Sequence, residues 1–169
     1  MGYTTDFRGS FELNKPLDDA TAKLIDGLNN SRRMKRDLTK LGMSKAEAKK
    51  YGIEGEFYYL ATSNDHGQEH DASILDYNEP PKTQPGLWLQ WVYNKEKNCI
   101  EWNCGEKFYY YVEWLRYLIK RVLKSNYVLN GSVEFQGEEQ ADQGVIVVID
   151  NVVRVEMYDV SDDSAEESD

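Results

Sequence analysis

The stretch EKFYYYVEWLRYLIKRVLK, residues 106–124, decides the fold, because it is the longest segment of the chain with one clear periodicity. Apolar side chains recur at intervals of three and four residues and would form one wide stripe on a helix. The members of this stripe are Phe108, Tyr111, Val112, Leu115, Leu118, Ile119 and Val122. The segment therefore predicts an amphipathic helix that packs against a sheet.

The rest of the chain supplies the sheet. Strands are predicted where side chains alternate or where aromatic and β-branched residues cluster, at residues 4–13, 56–62, 87–93, 99–103, 127–136, 145–149 and 152–158. A second helix is predicted over residues 17–30 and a short one over 45–51, and residues 31–40 extend the first helix or form a loop. The predicted fold class is α+β: a mostly antiparallel sheet of six to seven strands with two main helices packed on one face. The two helical stripes share this sheet, and the charged loops face outward.

Composition sets the domain organisation. The chain has 169 residues, of which 40% are hydrophobic and 12% aromatic, enough for one well-packed core. We expect residues 1–158 to form a single domain. Residues 159–169 hold six acids and no base, and they predict a disordered acidic tail.

Several classes of protein find no support in the sequence. There is no apolar segment of signal-peptide or membrane-spanning length, so a cytoplasmic protein without a membrane partner is predicted. Cys99 and Cys104 are too few for a zinc or disulfide framework. Phosphate-binding, dinucleotide-binding and nucleophilic-serine motifs are missing, so no cofactor, metal or catalytic residue is predicted.

Charge is unevenly placed on this chain of net charge -10. Residues 15–50 hold ten bases against five acids, whereas the acids dominate elsewhere. The densest basic run is Arg32, Arg33, Lys35 and Arg36. Clustered arginines suit phosphate oxygens. The alternative is a solvated helix end whose bases pair with neighbouring acids.

A second candidate site is a row on the helix of residues 106–124. Tyr110, Trp114, Tyr117 and Arg121 are spaced three or four residues apart, on a face displaced from the apolar stripe. Such a row could stack on bases or fill the pockets of a partner protein. Alternatively, the helix is buried on two sides, a choice that burial alone decides.

The long segment of residues 63–86 is the third candidate, because loops of this length in compact domains tend to be functional or mobile. Within it, Asp71, Asp76 and Tyr77 are candidate binding residues. Acids and histidines crowd at two places that could hold a metal: His66, Glu69, His70, Asp71 and Asp76, and then Glu138, Glu139 and Asp142. Neither spacing matches a known metal-binding loop or helix, so surface acids remain the preferred interpretation.

Several stretches resemble a known group of proteins. These are GYTTDFRGSFEL (2–13), SRRMKRD (31–37), DASILDYNEPPKTQPGLWLQW (71–91), IEWN (100–103), GEKFYYYVEWLRYLI (105–119) and VLNGSVEFQGEEQADQGVIVVIDNVV (128–153). They are similar to a family of small phage and bacterial proteins that has no assigned activity. The resemblance implies a phage or bacterial context and brings no catalytic residues with it.

Three functions follow as hypotheses. The first is a non-enzymatic protein-binding module, for example a phage-encoded inhibitor or modulator of a host enzyme or defence system, with a host or cellular protein as its partner. The second is a metal- or nucleotide-dependent enzyme that places the Arg32–Arg36 cluster on phosphate and the loop acids on a metal. The third is a DNA mimic whose acidic face and tail occupy a DNA-binding protein.

Overall fold

A computed structural model describes residues 2–61 and 65–159 of the chain. Its strands are β1 (Asp6–Leu13), β2 (Lys35–Arg36), β3 (Ile74–Asp76), β4 (Trp91–Asn94), β5 (Cys99–Trp102), β6 (Leu129–Gln136), β7 (Gln143–Ile149) and β8 (Val152–Met157). Six of them form an antiparallel sheet in the order β4-β5-β1-β6-β7-β8, and β2 pairs with β3 in a separate small sheet. The predicted α+β class is confirmed.

Strand β1 lies inside the sheet because its alternation gives it one apolar face. Phe7, Phe11 and Leu13 are buried, whereas Asp6, Arg8 and Glu12 between them are exposed. The neighbouring strand β6 places Gly131 opposite Phe11. Gly131 has a φ of 142°, and a Cβ there would lie 2.7 Å from the carbonyl oxygen of Ser10. Only glycine fits this approach of the two backbones.

The part of the chain that the structure describes forms three α-helices: α1 (Asp19–Asn29), α2 (Lys45–Lys49) and α3 (Tyr111–Tyr117). Helix α1 begins where the side chain of Asp18 accepts a hydrogen bond from the backbone N–H of Thr21 at 2.7 Å. Helix α2 begins in the same way at the predicted capping box, where Ser44 accepts from the N–H of Glu47 at 3.1 Å. Helix α3 continues as a π-helical segment, Leu118–Leu123.

Helices α1 and α3 contribute to one cluster of buried side chains with the large sheet. Ile25 and Leu28 of α1 join Trp114 and Leu115 of α3 in this core. Aromatic rings fill its centre: the ring of Phe7 meets Trp91, Trp102, Phe108 and Tyr111 edge to face, at centroid distances of 4.9 to 5.9 Å. Such contacts add to the free energy gained from apolar burial.

The strand predicted over residues 56–62 is wrong for residues 56–61, and residue 62 lies outside the described residues. Residues 53–55 form a 3₁₀ turn, and the segment after Glu56 is irregular. The carbonyl oxygens of Glu56 and Tyr58, which a strand would use in a ladder, accept hydrogen bonds from the guanidinium of Arg33. A side chain therefore satisfies this backbone. Of the aromatic residues that predicted a strand, Phe57 packs against the main core, and the ring of Tyr58 lies 5.2 Å from the guanidinium of Arg36.

The predicted helix of residues 106–124 begins five residues late. Cys104, Lys107 and Tyr110 have φ values of 67°, 56° and 58°, in the left-handed region. Such residues do not continue a right-handed helix, so α3 begins at Tyr111. Residues 31–40 are also corrected: they form β2 and a 3₁₀ turn, Leu38–Leu41, and no helix.

Two further predictions concern the acidic tail and the absence of a membrane-spanning segment. The acidic tail lies outside them beyond Asp159. Among the helices of residues 2–61 and 65–159, none is long and apolar enough to cross a membrane.

Candidate functional site

A pocket lies between the loop of residues 78–90 and the segment of residues 106–110. Its volume is about 710 Å³. We call it the aromatic groove, and it is lined by Asn78, Pro80, Pro85, Gly86, Leu87, Trp88, Gln90, Glu106, Lys107, Tyr109 and Tyr110. Pockets of this size accommodate drug-sized ligands or a few residues of a peptide.

Large aromatic side chains remain accessible in this groove. Tyr109 and Tyr110 are 47% and 56% exposed, and Trp88 is half-buried. Most other aromatic residues of this region, such as Phe108 and Trp114, are buried in the core. An exposed cluster of aromatic rings in a concave surface is typical of a site that binds a partner or a ligand.

The backbone of the segment before α3 is strained beside the groove. Each of its three left-handed residues, Cys104, Lys107 and Tyr110, costs about 1 kcal/mol or more relative to an ordinary conformation. Tyr110 is nevertheless held in place, because its carbonyl oxygen accepts the first hydrogen bond of α3 from Trp114 at 2.8 Å. Strain of this kind persists where the surrounding structure fixes it, and it is concentrated at functional sites.

Glycine at position 86 lets the opposite wall approach closely. A Cβ on Gly86 would lie 3.0 Å from Cδ2 of Tyr110 and 3.5 Å from Nε1 of Trp114. The indole N–H of Trp114 is buried there and finds no acceptor among the described residues. The groove wall is thus thin, with an unsatisfied donor directly behind it.

Gln90 is a second buried polar residue of the groove. Its amide group donates to the carbonyl oxygen of Glu106 at 3.0 Å and so ties the two walls together. Its own Oε1 is buried near Gly105 and has no partner among the described residues. Buried polar groups without a partner are uncommon. Two of them, Oε1 of Gln90 and Nε1 of Trp114, lie in the groove wall or just behind it.

An internal polar network positions the loop wall. The amide of Gln84 donates to the carbonyl oxygen of Glu56 at 2.6 Å and to the hydroxyl of Tyr117 at 3.0 Å. Tyr117 in turn donates to the Glu56 carboxylate at 2.7 Å. Burial raises the pKa of the Tyr117 hydroxyl, and the Glu56 carboxylate adds to this shift. The residues that follow Gln84, Pro85 and Gly86, are therefore held against α3.

The basic run is not a solvated helix end, because two of its four members are buried. Arg33 and Arg36 are 3% and 4% exposed. Burial lowers the pKa of Arg33 to about 10, so that its guanidinium remains charged at neutral pH. Arg36 donates to Asp71 and to Ser73, both at 2.8 Å. These guanidinium groups hold loops together inside the chain and are turned away from external phosphate.

The other two bases lie nearer the surface. Lys35 forms an ion pair with Glu54 at 3.3 Å. Arg32 stacks over the ring of Tyr77 at 4.3 Å and donates to its carbonyl oxygen at 3.0 Å. The same ring also stacks with His70, at a centroid distance of 4.7 Å. Arg32 and Arg36, two of the candidate phosphate-binding residues, instead hold the loop that precedes the groove through contacts with Tyr77 and Asp71.

The residues of the row predicted on the helix of residues 106–124 have different environments. Trp114 and Tyr117 are buried, which decides for the interpretation that this helix is covered on two sides, and only Tyr110 reaches the groove. Asp76 caps the turn at Asn78, accepting from its N–H at 2.8 Å.

The structure does not bring the loop acids together. Asp71 is paired with Arg36, whereas Asp142 accepts from the hydroxyl of Tyr3 at 2.7 Å. Within residues 2–61 and 65–159, no three His, Cys, Asp or Glu side chains are grouped as metal ligands.

Sequence reasoning missed Trp88 and Tyr109 as site residues. The signal that could have found Trp88 is the run NEPPKTQPGLW, residues 78–88, in which prolines and an aromatic residue follow one another without helical or strand periodicity. Comparison with protein-family models, with curated proteins and with solved structures found no match.

Proposed function

We propose that this chain is a non-enzymatic protein-binding module that holds an extended, proline-rich segment of its partner in the aromatic groove. The observation that carries this proposal is that half-buried Trp88 and exposed Tyr109 and Tyr110 line one pocket of about 710 Å³. The chain keeps these rings accessible at the cost of a strained backbone, and it offers a concave surface that an extended peptide can enter.

Proline-rich segments suit this surface for two reasons. A polyproline II helix is formed before binding, so little conformational entropy is lost, and its apolar rings pack on aromatic faces. Its carbonyl oxygens are not used internally and need donors. Tyrosine hydroxyls and the indole N–H of tryptophan supply donors at the edges of aromatic rings.

The enzyme alternative lacks comparable support. It requires the arginine cluster to face a phosphate, but Arg33 and Arg36 donate to groups inside the chain. The DNA-mimic alternative depends largely on residues 159–169 and remains a prediction. So does a host enzyme or defence protein as the partner, which rests on the family resemblance.

The test is binding of short labelled peptides, measured by fluorescence anisotropy. The probes are peptides of about ten residues that contain repeated Pro-x-x-Pro units, and matched peptides in which alanine replaces each proline. We expect dissociation constants on the order of 10–100 µM for the proline-rich probes, since a short peptide buries little surface.

Two substitutions identify the site. Trp88→Ala removes one aromatic face, and Tyr110→Asn removes another while tolerating the left-handed backbone. Each should weaken binding at least tenfold, whereas Tyr51→Ala, at an exposed tyrosine outside the groove, should leave it unchanged.

Absence of binding by either peptide series at about 1 mM would count against the whole proposal, as would equal binding by the three variants. Equal affinity for the alanine-substituted peptides would contradict the preference for proline-rich segments, but it would still support peptide binding in the groove.

A further inference from the structure

The two edges of the large sheet differ in how their backbone groups are used. At the β4 edge, the side chain of Asn29 donates to the carbonyl oxygens of Leu89 and Trp91, at 3.1 and 2.7 Å. At the other edge, β8 pairs with β7 and with no other strand of residues 2–61 and 65–159. An open strand edge is a template for pairing with another strand.

The orientation of the β8 backbone follows from one hydrogen bond. The N–H of Tyr158 donates to the carbonyl oxygen of Gln143 in β7 at 2.9 Å. Because the N–H and C=O groups of successive residues in a strand alternate in direction, those of Arg154 and Glu156 also face β7. The groups of Val153, Val155 and Met157 therefore face the open edge.

The side chains along this edge are more apolar than a solvated edge requires. Val152 is 69% exposed, Met157 56% and Tyr158 41%, and Ile149, the last residue of β7, is 55% exposed. Their exposure is unlike that of the same residue types elsewhere in the sheet, such as Val133 and Ile146, which are buried completely. Apolar side chains of this kind gain free energy when a second strand covers them.

The sequence of β8 is complementary to itself in one antiparallel register. We infer that two copies of this chain pair through β8, with Val155 opposite Val155 of the second copy. This register places Val153 opposite Met157, and Arg154 opposite Glu156, of the second copy. Opposite charges directly across two strands stabilise the pair, and so do apolar pairs.

Neighbouring registers are disfavoured by charge or by hydrogen bonding. A pair centred on Arg154 places two arginines opposite each other, and one centred on Glu156 places two glutamates opposite each other. A shift by a single residue puts outward-facing groups opposite residues whose groups face β7, so no ladder forms. The register centred on Val155 satisfies both conditions.

Two contacts at this edge bear on the strength of pairing. Arg154 and Glu156 already form an exposed ion pair within the strand, at 3.2 Å, so their attraction across the dimer replaces an existing one. Arg116 donates to the carbonyl oxygen of Val153 at 3.3 Å, and a carbonyl oxygen can accept a second hydrogen bond. Pairing through a single short strand buries little area, so we expect dissociation constants of about 10 µM to 1 mM.

Analytical ultracentrifugation between about 10 µM and 1 mM measures this association. The weight-average mass should rise from 19.6 kDa towards twice that value. Arg154→Glu and Glu156→Arg should each raise the dissociation constant at least tenfold, because each creates like-charged pairs. The double variant R154E/E156R restores opposite charges and should return the constant to within about threefold of the original.

Arg8→Glu is the matched control. Arg8 forms an exposed ion pair with Glu134, also across two strands, and its reversal changes the net charge by the same amount. It should leave the mass profile unchanged. Unaltered circular dichroism and urea midpoints of all the variants exclude unfolding as the cause.

Amide hydrogen exchange locates the contact. The amides of Val153, Val155 and Met157 should be slowed as the protein concentration rises, while those of Arg154 and Glu156 keep their rates. A monomer at about 1 mM, a dimer that charge reversal does not weaken, or unchanged exchange at these three amides would each overturn the inference. None of these outcomes depends on whether the aromatic groove binds peptides.

Discussion

The carboxylate of Glu56 accepts two hydrogen bonds from Arg121, from Nε at 2.9 Å and from Nη2 at 2.6 Å. Glu56 is fully buried, whereas Arg121 remains partly exposed. The pair joins the irregular segment after residue 55 to the π-helical segment, and it supports the network through which Gln84 positions the groove wall.

Replacement of Glu56 by glutamine should therefore destabilise the fold. Loss of the carboxylate leaves the hydrogen bonds of Arg121 and Tyr117 without their charged acceptor. We expect the free energy of unfolding to fall by about 2–3 kcal/mol, discounted because Arg121 reaches solvent. Urea denaturation measures this change. The control is Glu134→Gln in an exposed ion pair, which should change stability by no more than about 0.5 kcal/mol.

The free energy of unfolding should decrease at acid pH because the carboxylates of Glu56 and Asp71 accept hydrogen bonds in the folded chain. Burial alone would raise the pKa of Glu56 and of Asp71, but hydrogen bonds outweigh it and hold both values below the ordinary 4.5 and 3.8. The donors are Arg121 and Tyr117 for Glu56, and Ser73 and Arg36 for Asp71. The unfolded chain therefore takes up protons first, and the stabilisation present above pH 4.5 is lost as the pH falls through the folded-state values.

Urea midpoints between pH 7 and pH 3 test this dependence. Glu56→Gln should show a shallower loss than the unmodified chain over the acid part of the range, since the substituted side chain does not titrate. Parallel curves for the two proteins would contradict the assignment.

Alanine at position 131 should be among the most damaging small substitutions in the sheet. The added Cβ would meet the carbonyl oxygen of Ser10, and the backbone of Gly131 has a φ that alanine avoids. We expect a loss of about 3 kcal/mol or more in the free energy of unfolding. Ser132→Ala, at the next position and on the exposed side of the strand, should be close to neutral in the same urea measurement.

Glycine at position 110 should increase stability. Tyr110 is exposed and left-handed, so glycine relieves the backbone at little cost in packing. The expected gain is about 0.5–1 kcal/mol, while peptide binding decreases. Tyr109→Gly makes the comparison, because Tyr109 has an ordinary φ and its hydroxyl accepts from the N–H of Tyr3. Thermal melts should move in opposite directions for the two variants, and a decrease in both would contradict stored strain at Tyr110.

The large sheet could be predicted from sequence because its strands carry their own period. Alternation in β1 and β6 marks these strands and their buried faces, and an apolar run marks β7. The segment after Glu56 has strand-like composition too, but Arg33, more than twenty positions earlier, takes its carbonyl groups. No local pattern records such a contact, and the same holds for the burial of Arg36 against Asp71.

The groove was less accessible to prediction for a related reason. Tyr110 was identified from its spacing on a helix, yet it reaches the groove because it does not belong to that helix. Trp88 and Tyr109 belong to different segments of the chain. They line one groove because a hydrogen bond between Gln90 and Glu106 joins those segments. Spacing along one element cannot indicate a surface that two irregular segments create.

The side chain of Asn29 has a consequence for the size of any assembly. It occupies two carbonyl oxygens at one border of the sheet, and the inferred symmetric pairing through β8 uses the opposite border in both partners. Association through β8 therefore stops at a dimer, in which the two sheets join into one of twelve strands, and it does not continue into a fibre.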